Sequence, residues 1–139
     1  MNVRVLYFST TGHSKKIAKA VAESIGVQAE DIKENPILNS TDLLFVASGI
    51  YGGQPDPKLL SYFDQFSSDQ IKKVALLTSS AGKKTKQVAL RNKLNEKGIA
   101  VLENEFTCQG AFLVVGLTHP NAQDLSDAVT FSKKLLQNS

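Results

Sequence analysis

Near the start of the chain, Ser9-Thr10-Thr11-Gly12-His13-Ser14 places four hydroxyls around one glycine within six residues. The segment follows a short apolar run and leads directly into residues with helical spacing. The first amides of a helix have no internal hydrogen-bond partners, and the helix dipole favours negative charge beside them. A hydroxyl-rich turn at that point therefore suits a phosphate, with amides and hydroxyls both donating. Capping the helix needs only one such side chain; four packed around a glycine point to a ligand.

The kind of phosphate can be narrowed by what is missing. A Walker A loop needs a second glycine and a lysine before the final hydroxyl, and only Gly12 is present before Ser14. The dinucleotide fingerprint G-x-G-x-x-G is also missing. A receiver domain needs acidic residues at the ends of the first and third strands, where Ser9 and Ser48 stand. A cysteine phosphatase needs an arginine shortly after its nucleophile, and Cys108 is followed by Gln109-Gly110-Ala111-Phe112. What remains is a phosphomonoester held without a cationic side chain in the loop. No Ser/His/Asp arrangement and no paired catalytic carboxylates accompany it. One cysteine and two histidines exclude an internal disulfide, a thiolate cluster and a zinc site.

The elements that must position this loop are strands alternating with amphipathic helices. Val3 to Phe8 is nearly continuous apolar sequence with Arg4 as its one charge, the pattern of a buried parallel strand. The helix after the loop spaces Ile17, Val21 and Ile25 by four and stops at Gly26. Val27 to Ile32 is a more polar strand, suited to an edge, and Asn35-Pro36 breaks the chain after it. Leu43 to Ala47 forms the third strand. Asp56-Pro57 then caps and opens a helix with Leu59, Leu60 and Phe63 on one face. Val74 to Leu77 is the fourth strand, followed by a helix with Val88, Leu90 and Leu94 that closes at Gly98. The fifth strand starts near Ile99 and runs towards Cys108. The last helix opens at Pro120-Asn121, with Asp124 completing an imperfect capping box, and buries Leu125, Ala128, Val129 and Leu135.

Five strands alternating with helices give an α/β fold, a parallel sheet covered on both faces in three layers. Ligands of such sheets sit beyond the carboxyl ends of the strands. At 139 residues the chain is one domain, 1–139, long enough to bury a core without a staple. No apolar run approaches the roughly 18 residues of a membrane span, and no leader peptide is recognisable at the N-terminus, so a cytoplasmic protein is expected. The net charge is +3, but the lysine pairs are scattered and no nucleic-acid-reading motif accompanies them. No nucleic-acid or membrane partner is expected.

The hydroxyl-rich turn resembles the phosphate loop of flavodoxins, T/S-x-T-G-x-T, which holds the phosphate of FMN. Ser48-Gly49-Ile50-Tyr51-Gly52-Gly53 after the third strand and Thr78-Ser79-Ser80-Ala81-Gly82 after the fourth are similar to the two flavodoxin loops that contact the flavin ring. The resemblance covers essentially the whole chain. It implies a doubly wound five-stranded sheet in the order 2-1-3-4-5, with FMN as cofactor. It places Ser9, Thr10, Thr11, Gly12, His13 and Ser14 at the phosphate. Ser48, Gly49, Ile50, Tyr51, Gly52, Gly53, Ser79, Ser80, Ala81 and Gly82 are placed at the ring. Tyr51 is the expected stacking residue, since Tyr7 and Tyr62 lie where a core role suffices. In flavodoxins a peptide of the first ring loop turns its carbonyl to the flavin on half-reduction, and Gly52 matches that position. The implied function is transfer of single electrons between redox partner proteins, a reductase and an acceptor. The alternative is an FMN-dependent NAD(P)H/quinone-type oxidoreductase.

Several residues depart from the flavodoxin pattern. Ser79-Ser80-Ala81-Gly82 lacks the second aromatic usual there, leaving one ring face to Phe112, solvent or a partner. His13 stands where asparagine is frequent, which opens a pH dependence of phosphate binding near the imidazole value of about 6.5. Flavodoxins are usually acidic, whereas Lys83, Lys84 and Lys86 here follow a ring loop and would favour reduced flavin if close to it. Cys108 falls near the flavin edge as either a redox thiol or an inert core residue, and His119 precedes the last helix.

Overall fold

The structure, a computed structural model, describes residues 1–9, 12–50, 55–81, 87–110 and 120–137. β1 (Val3–Phe8) pairs in parallel with β2 (Ala29–Asp31) on one side and β3 (Thr41–Ile50) on the other. β3 pairs with β4 (Ile71–Ala81), and β4 with both β5 (Ala100–Val101) and β6 (Phe106–Gly110). The strand order β2-β1-β3-β4-β5 is the doubly wound one, with β2 at the edge. β2 is shorter than the expected strand over Val27 to Ile32. Asp31 accepts the Lys33 N–H at 2.9 Å and turns Ile32–Glu34 into a 3-10 turn that ends at Asn35, φ 53°.

The lane beside β4 departs from the expected single fifth strand. Val74 and Leu77 are three positions apart on β4, whereas their partners Val101 and Phe106 are five apart. Two residues must therefore leave the ladder. Leu102 still donates its N–H to Val74 O at 2.9 Å, so the break falls between Leu102 and Phe106. The sequence there is Glu103-Asn104-Glu105, poorly suited to a buried strand.

Helices cover both faces. α1 (His13–Ile25) and α4 (Ala122–Gln137) lie over the face bearing Val5, Tyr7, Phe45, Ala75 and Leu77. α2 (Pro57–Tyr62) and α3 (Val88–Glu96) lie over the face bearing Leu6, Phe8, Leu44, Val46 and Leu76. The alternation along β3 thus feeds two cores, as a strand covered on both sides must. Gly26, at φ 81°, ends α1 with its N–H on Ala22 O, a left-handed cap that glycine adopts freely. Asp56 caps α2 through the Lys58 N–H at 2.9 Å, with Pro57 at the first position. At the start of α4, Asn121 Oδ1 accepts from Asp124 N and Asp124 Oδ2 accepts from Asn121 N, each at 2.9 Å. This is a full reciprocal capping box with aspartate replacing glutamate.

Two expected core positions differ. Val88 is 65% exposed, because it lies about 200° around the helix from Leu90, which with Leu94 makes the buried stripe. Val129 is half-buried, outside the cluster that takes Ala128, Leu125 and Leu135. Among the described residues no helix is long and apolar enough to cross a membrane.

Phe45, fully buried on the central strand, anchors the α1/α4 core. Phe45→Ala is expected to cost about 3–5 kcal/mol in urea unfolding, and Val88→Ala no more than about 0.5 kcal/mol.

Candidate functional site

The carboxyl ends of the strands meet along one edge. Phe8 at the end of β1 faces Ser48 on β3, Ser48 faces Thr78 on β4, and Thr78 faces Thr107 on β6. Beyond that line β3 and β4 run on together, with Gly49 opposite Ser79 and Ile50 opposite Ser80. Ser48, Gly49 and Ile50, and likewise Ser79, Ser80 and Ala81, are therefore final strand residues and not the loops expected of them. Pairing satisfies their backbone groups mutually, and it fixes this edge more firmly than a loop would.

Strand alternation sorts the hydroxyls between the two faces. Ser79 belongs to the α1 face, where its Oγ lies 3.4 Å from Ser14 Oγ with both residues buried. Ser48 and Thr78 belong to the α3 face, and both are buried as well.

The start of α1 is the part of this edge with unused capacity. Gly12 adopts φ 90°, a conformation that other residues rarely take, and among the described residues no side chain caps the helix. Ser9 Oγ accepts the Gly12 N–H at 2.8 Å, closing the turn and not the helix amides that follow. Among the described residues a Cβ on Gly12 would meet nothing within 4 Å, so they leave the space over the turn open. His13 Nδ1 is buried without a hydrogen-bond partner. Burial, and secondarily the charge of Lys16, hold the His13 pKa below the usual imidazole value. Free helix amides, open space, a buried serine hydroxyl and an orphaned ring nitrogen form a donor set that fits a phosphate monoester.

Thr10, Thr11, Tyr51, Gly52, Gly53 and Gly82 lie outside the described residues, as do Lys83, Lys84, Lys86, Phe112 and His119. Tyr7 and Tyr62 are core residues, as expected. The Tyr62 hydroxyl donates to Pro36 O at 2.6 Å, and burial pushes its pKa up. Cys108 is buried on β6. Among the described residues no group of histidine, cysteine or carboxylate side chains is arranged to hold a metal.

Two charged residues at this edge were not anticipated. Glu105, carried inward by the break between β5 and β6, has a fully buried carboxylate. Its Oε1 accepts from Thr78 Oγ1 at 2.9 Å and from the Gln87 N–H at 2.7 Å, and its Oε2 from Arg91 Nη2 at 3.1 Å. Arg91 Nη1 also donates to Leu102 O at 3.1 Å. Gln87 in turn donates through Nε2 to Ser48 Oγ, while its Oε1 is buried without a partner. A carboxylate from the break before β6 thus binds the residue that leads into α3 and ties β4, α3 and, through Gln87, β3 together behind the site. Two acids within a supposed strand were the sequence signal for it. The second residue is Lys33, whose Nζ donates to Ser9 O at 2.7 Å. Because Tyr7 pairs with Asp31, the residue two beyond β2 reaches the residue two beyond Tyr7. Only the strand register could have revealed that.

Two outcomes follow from this geometry. Glu105→Ala leaves three donors without their acceptor and is expected to lower unfolding free energy by about 2–4 kcal/mol, measured by urea titration. Burial keeps His13 neutral to lower pH than a free imidazole when no ligand is present, and a phosphate dianion beside it raises that pKa. Binding of a phosphate monoester such as FMN at pH near 6 then takes up protons through His13. Calorimetry in two buffers of different ionisation enthalpy should show a larger uptake for the native protein than for His13→Asn.

A family model described as a flavodoxin domain matches residues 4–118. An uncharacterized protein of Methanocaldococcus jannaschii is 32% identical, over 99% of this chain and 100% of its own length. Among solved structures, a flavodoxin from the domain Archaea superposes with a TM-score of 0.72 at 18% identity, covering 99% of this chain and 98% of that one. An NAD(P)H:quinone oxidoreductase from Methanothermobacter marburgensis superposes with a TM-score of 0.68 at 16% identity, covering 97% and 96%. With a matching order of strands and a match over most of its length, the chain belongs to the flavodoxin domain family, whose cofactor is FMN.

Proposed function

We propose that the protein carries single electrons between redox partner proteins, a reductase and an acceptor, on one bound FMN. The observation that carries this reading is the start of α1: open above Gly12, uncapped, and furnished with donors that nothing in the described chain uses. Ser9, Thr10, Thr11, Gly12, His13 and Ser14 would hold the phosphate. Ser48, Gly49, Ile50, Tyr51, Gly52 and Gly53, with Ser79, Ser80, Ala81 and Gly82, would line the ring. FMN supplies the electron chemistry when bound. The chain's own contribution is to bind it, orient it and set the polarity around it.

Carrier function is supported over small-molecule catalysis by the fate of Glu105, an acidic group buried beside Thr78 at the strand ends. Glu105 is fully buried and held by three donors, which suits a structural carboxylate better than one that passes a proton to a substrate. The oxidoreductase neighbour shares the fold and keeps reduction of quinones by a nicotinamide donor as the competing outcome.

Apoprotein titrated with FMN should bind one equivalent, and stepwise reduction should pass through an accumulating one-electron state. Reduction directly by two electrons, with steady NAD(P)H-dependent quinone turnover and no added reductase, would instead identify an enzyme.

A further inference from the structure

We propose that Lys33 is the cation of the phosphate site, a specificity-determining residue supplied by the edge strand and not by the phosphate loop; this rests on the reading of that loop as the FMN phosphate site. The side chain is exposed yet held at several points. Its backbone N–H is fixed by Asp31 Oδ1 at 2.9 Å, its ammonium lies 5.3 Å from the centroid of the Phe8 ring, and Nζ donates to Ser9 O at 2.7 Å. An ammonium has three N–H donors, and the Ser9 carbonyl takes one.

The groups that touch the ammonium, the Ser9 carbonyl and the Phe8 ring, are neutral. Lys72 and Lys93 sit against Asp42 and Asp64 respectively, whereas among the described residues no carboxylate forms an ion pair with Lys33. A long, flexible side chain is thus held at the first residue of the proposed phosphate turn by a carbonyl and an aromatic face, with no ion pair among the described residues. That placement fits a site completed by an anion. It also gives the edge strand a function: the Tyr7–Asp31 register places Lys33 alongside Ser9, so the cation is fixed by the sheet before any ligand arrives.

The consequence is selectivity for the phosphorylated flavin. A charge-assisted hydrogen bond or close ion contact acts on FMN and has no counterpart in riboflavin, and partial exposure makes it sensitive to salt. The test compares FMN and riboflavin affinities, by flavin fluorescence quenching at low and high salt, for the native protein, Lys33→Met and Lys33→Arg. The methionine variant keeps an apolar stem over Phe8 and removes only the charge and donors. It is expected to weaken FMN binding about tenfold at low salt, to leave riboflavin binding within about twofold, and to flatten the salt dependence. The arginine variant should restore most of the FMN affinity. Unchanged FMN affinity in Lys33→Met overturns the proposal. So does an equal loss for both flavins or an unaltered salt dependence, either of which marks a merely structural clamp on Ser9. Should the native protein bind neither flavin, the FMN reading itself falls and this inference with it.

Discussion

The structure depends on a backbone constraint at one residue. Gly12 takes a left-handed conformation between β1 and α1, and this lets the chain turn from the sheet edge into a helix within a few residues. The turn closes on itself through Ser9 and leaves the helix amides beyond it without side-chain partners. The same chain caps α2 with Asp56 and α4 with the Asn121–Asp124 pair, while α3 starts without a side-chain cap but with its preceding residue, Gln87, tied down by Glu105. The contrast is informative. Unsatisfied donors at a helix start are destabilising unless water or a ligand meets them, and this one stands where the sheet's ligands bind.

The opposite side of the edge is handled differently. There a fully buried carboxylate, Glu105, joins α3 to β4 and, through Gln87, to Ser48 on β3. Removing a carboxylate's hydration is costly, and the three donors it gains offset that cost. Such a network is sensitive to any lost member, because each remaining group would be buried without a partner. The result is an edge with one rigid flank, closed by its own polar groups, and one open flank at α1. On the proposed reading, the phosphate end and the ring end of the flavin would then be met by separate parts of this edge, the turn at Gly12 with Lys33 and the paired ends of β3 and β4.

Much of this was legible in the sequence because it rests on local rules. The apolar run of β1, the spacing of Ile17 and Val21, the Asp56-Pro57 start and the glycine at position 26 each name their element through propensity or periodicity. The turn between β1 and α1 stood out because four hydroxyls around a glycine exceed what capping requires. The parts that were not legible are non-local. Ser48 to Ile50 and Ser79 to Ala81 read as loops since small residues favour turns, but cross-strand pairing overrode that preference. The split of the fifth strand depends on register against β4. The positions of Lys33 and Glu105 depend on which strands are neighbours, and neither has a motif of its own.

The central claim is that an FMN phosphate rests on the amides at the start of α1. The most direct measurement is the change in backbone amide NMR shifts of the apoprotein on addition of FMN and, separately, of riboflavin. The account requires the amides of Gly12, His13 and Ser14 to shift strongly with FMN and weakly with riboflavin, while residues 48–50 and 79–81 respond to both. Saturating FMN that leaves those three amides unmoved would contradict it.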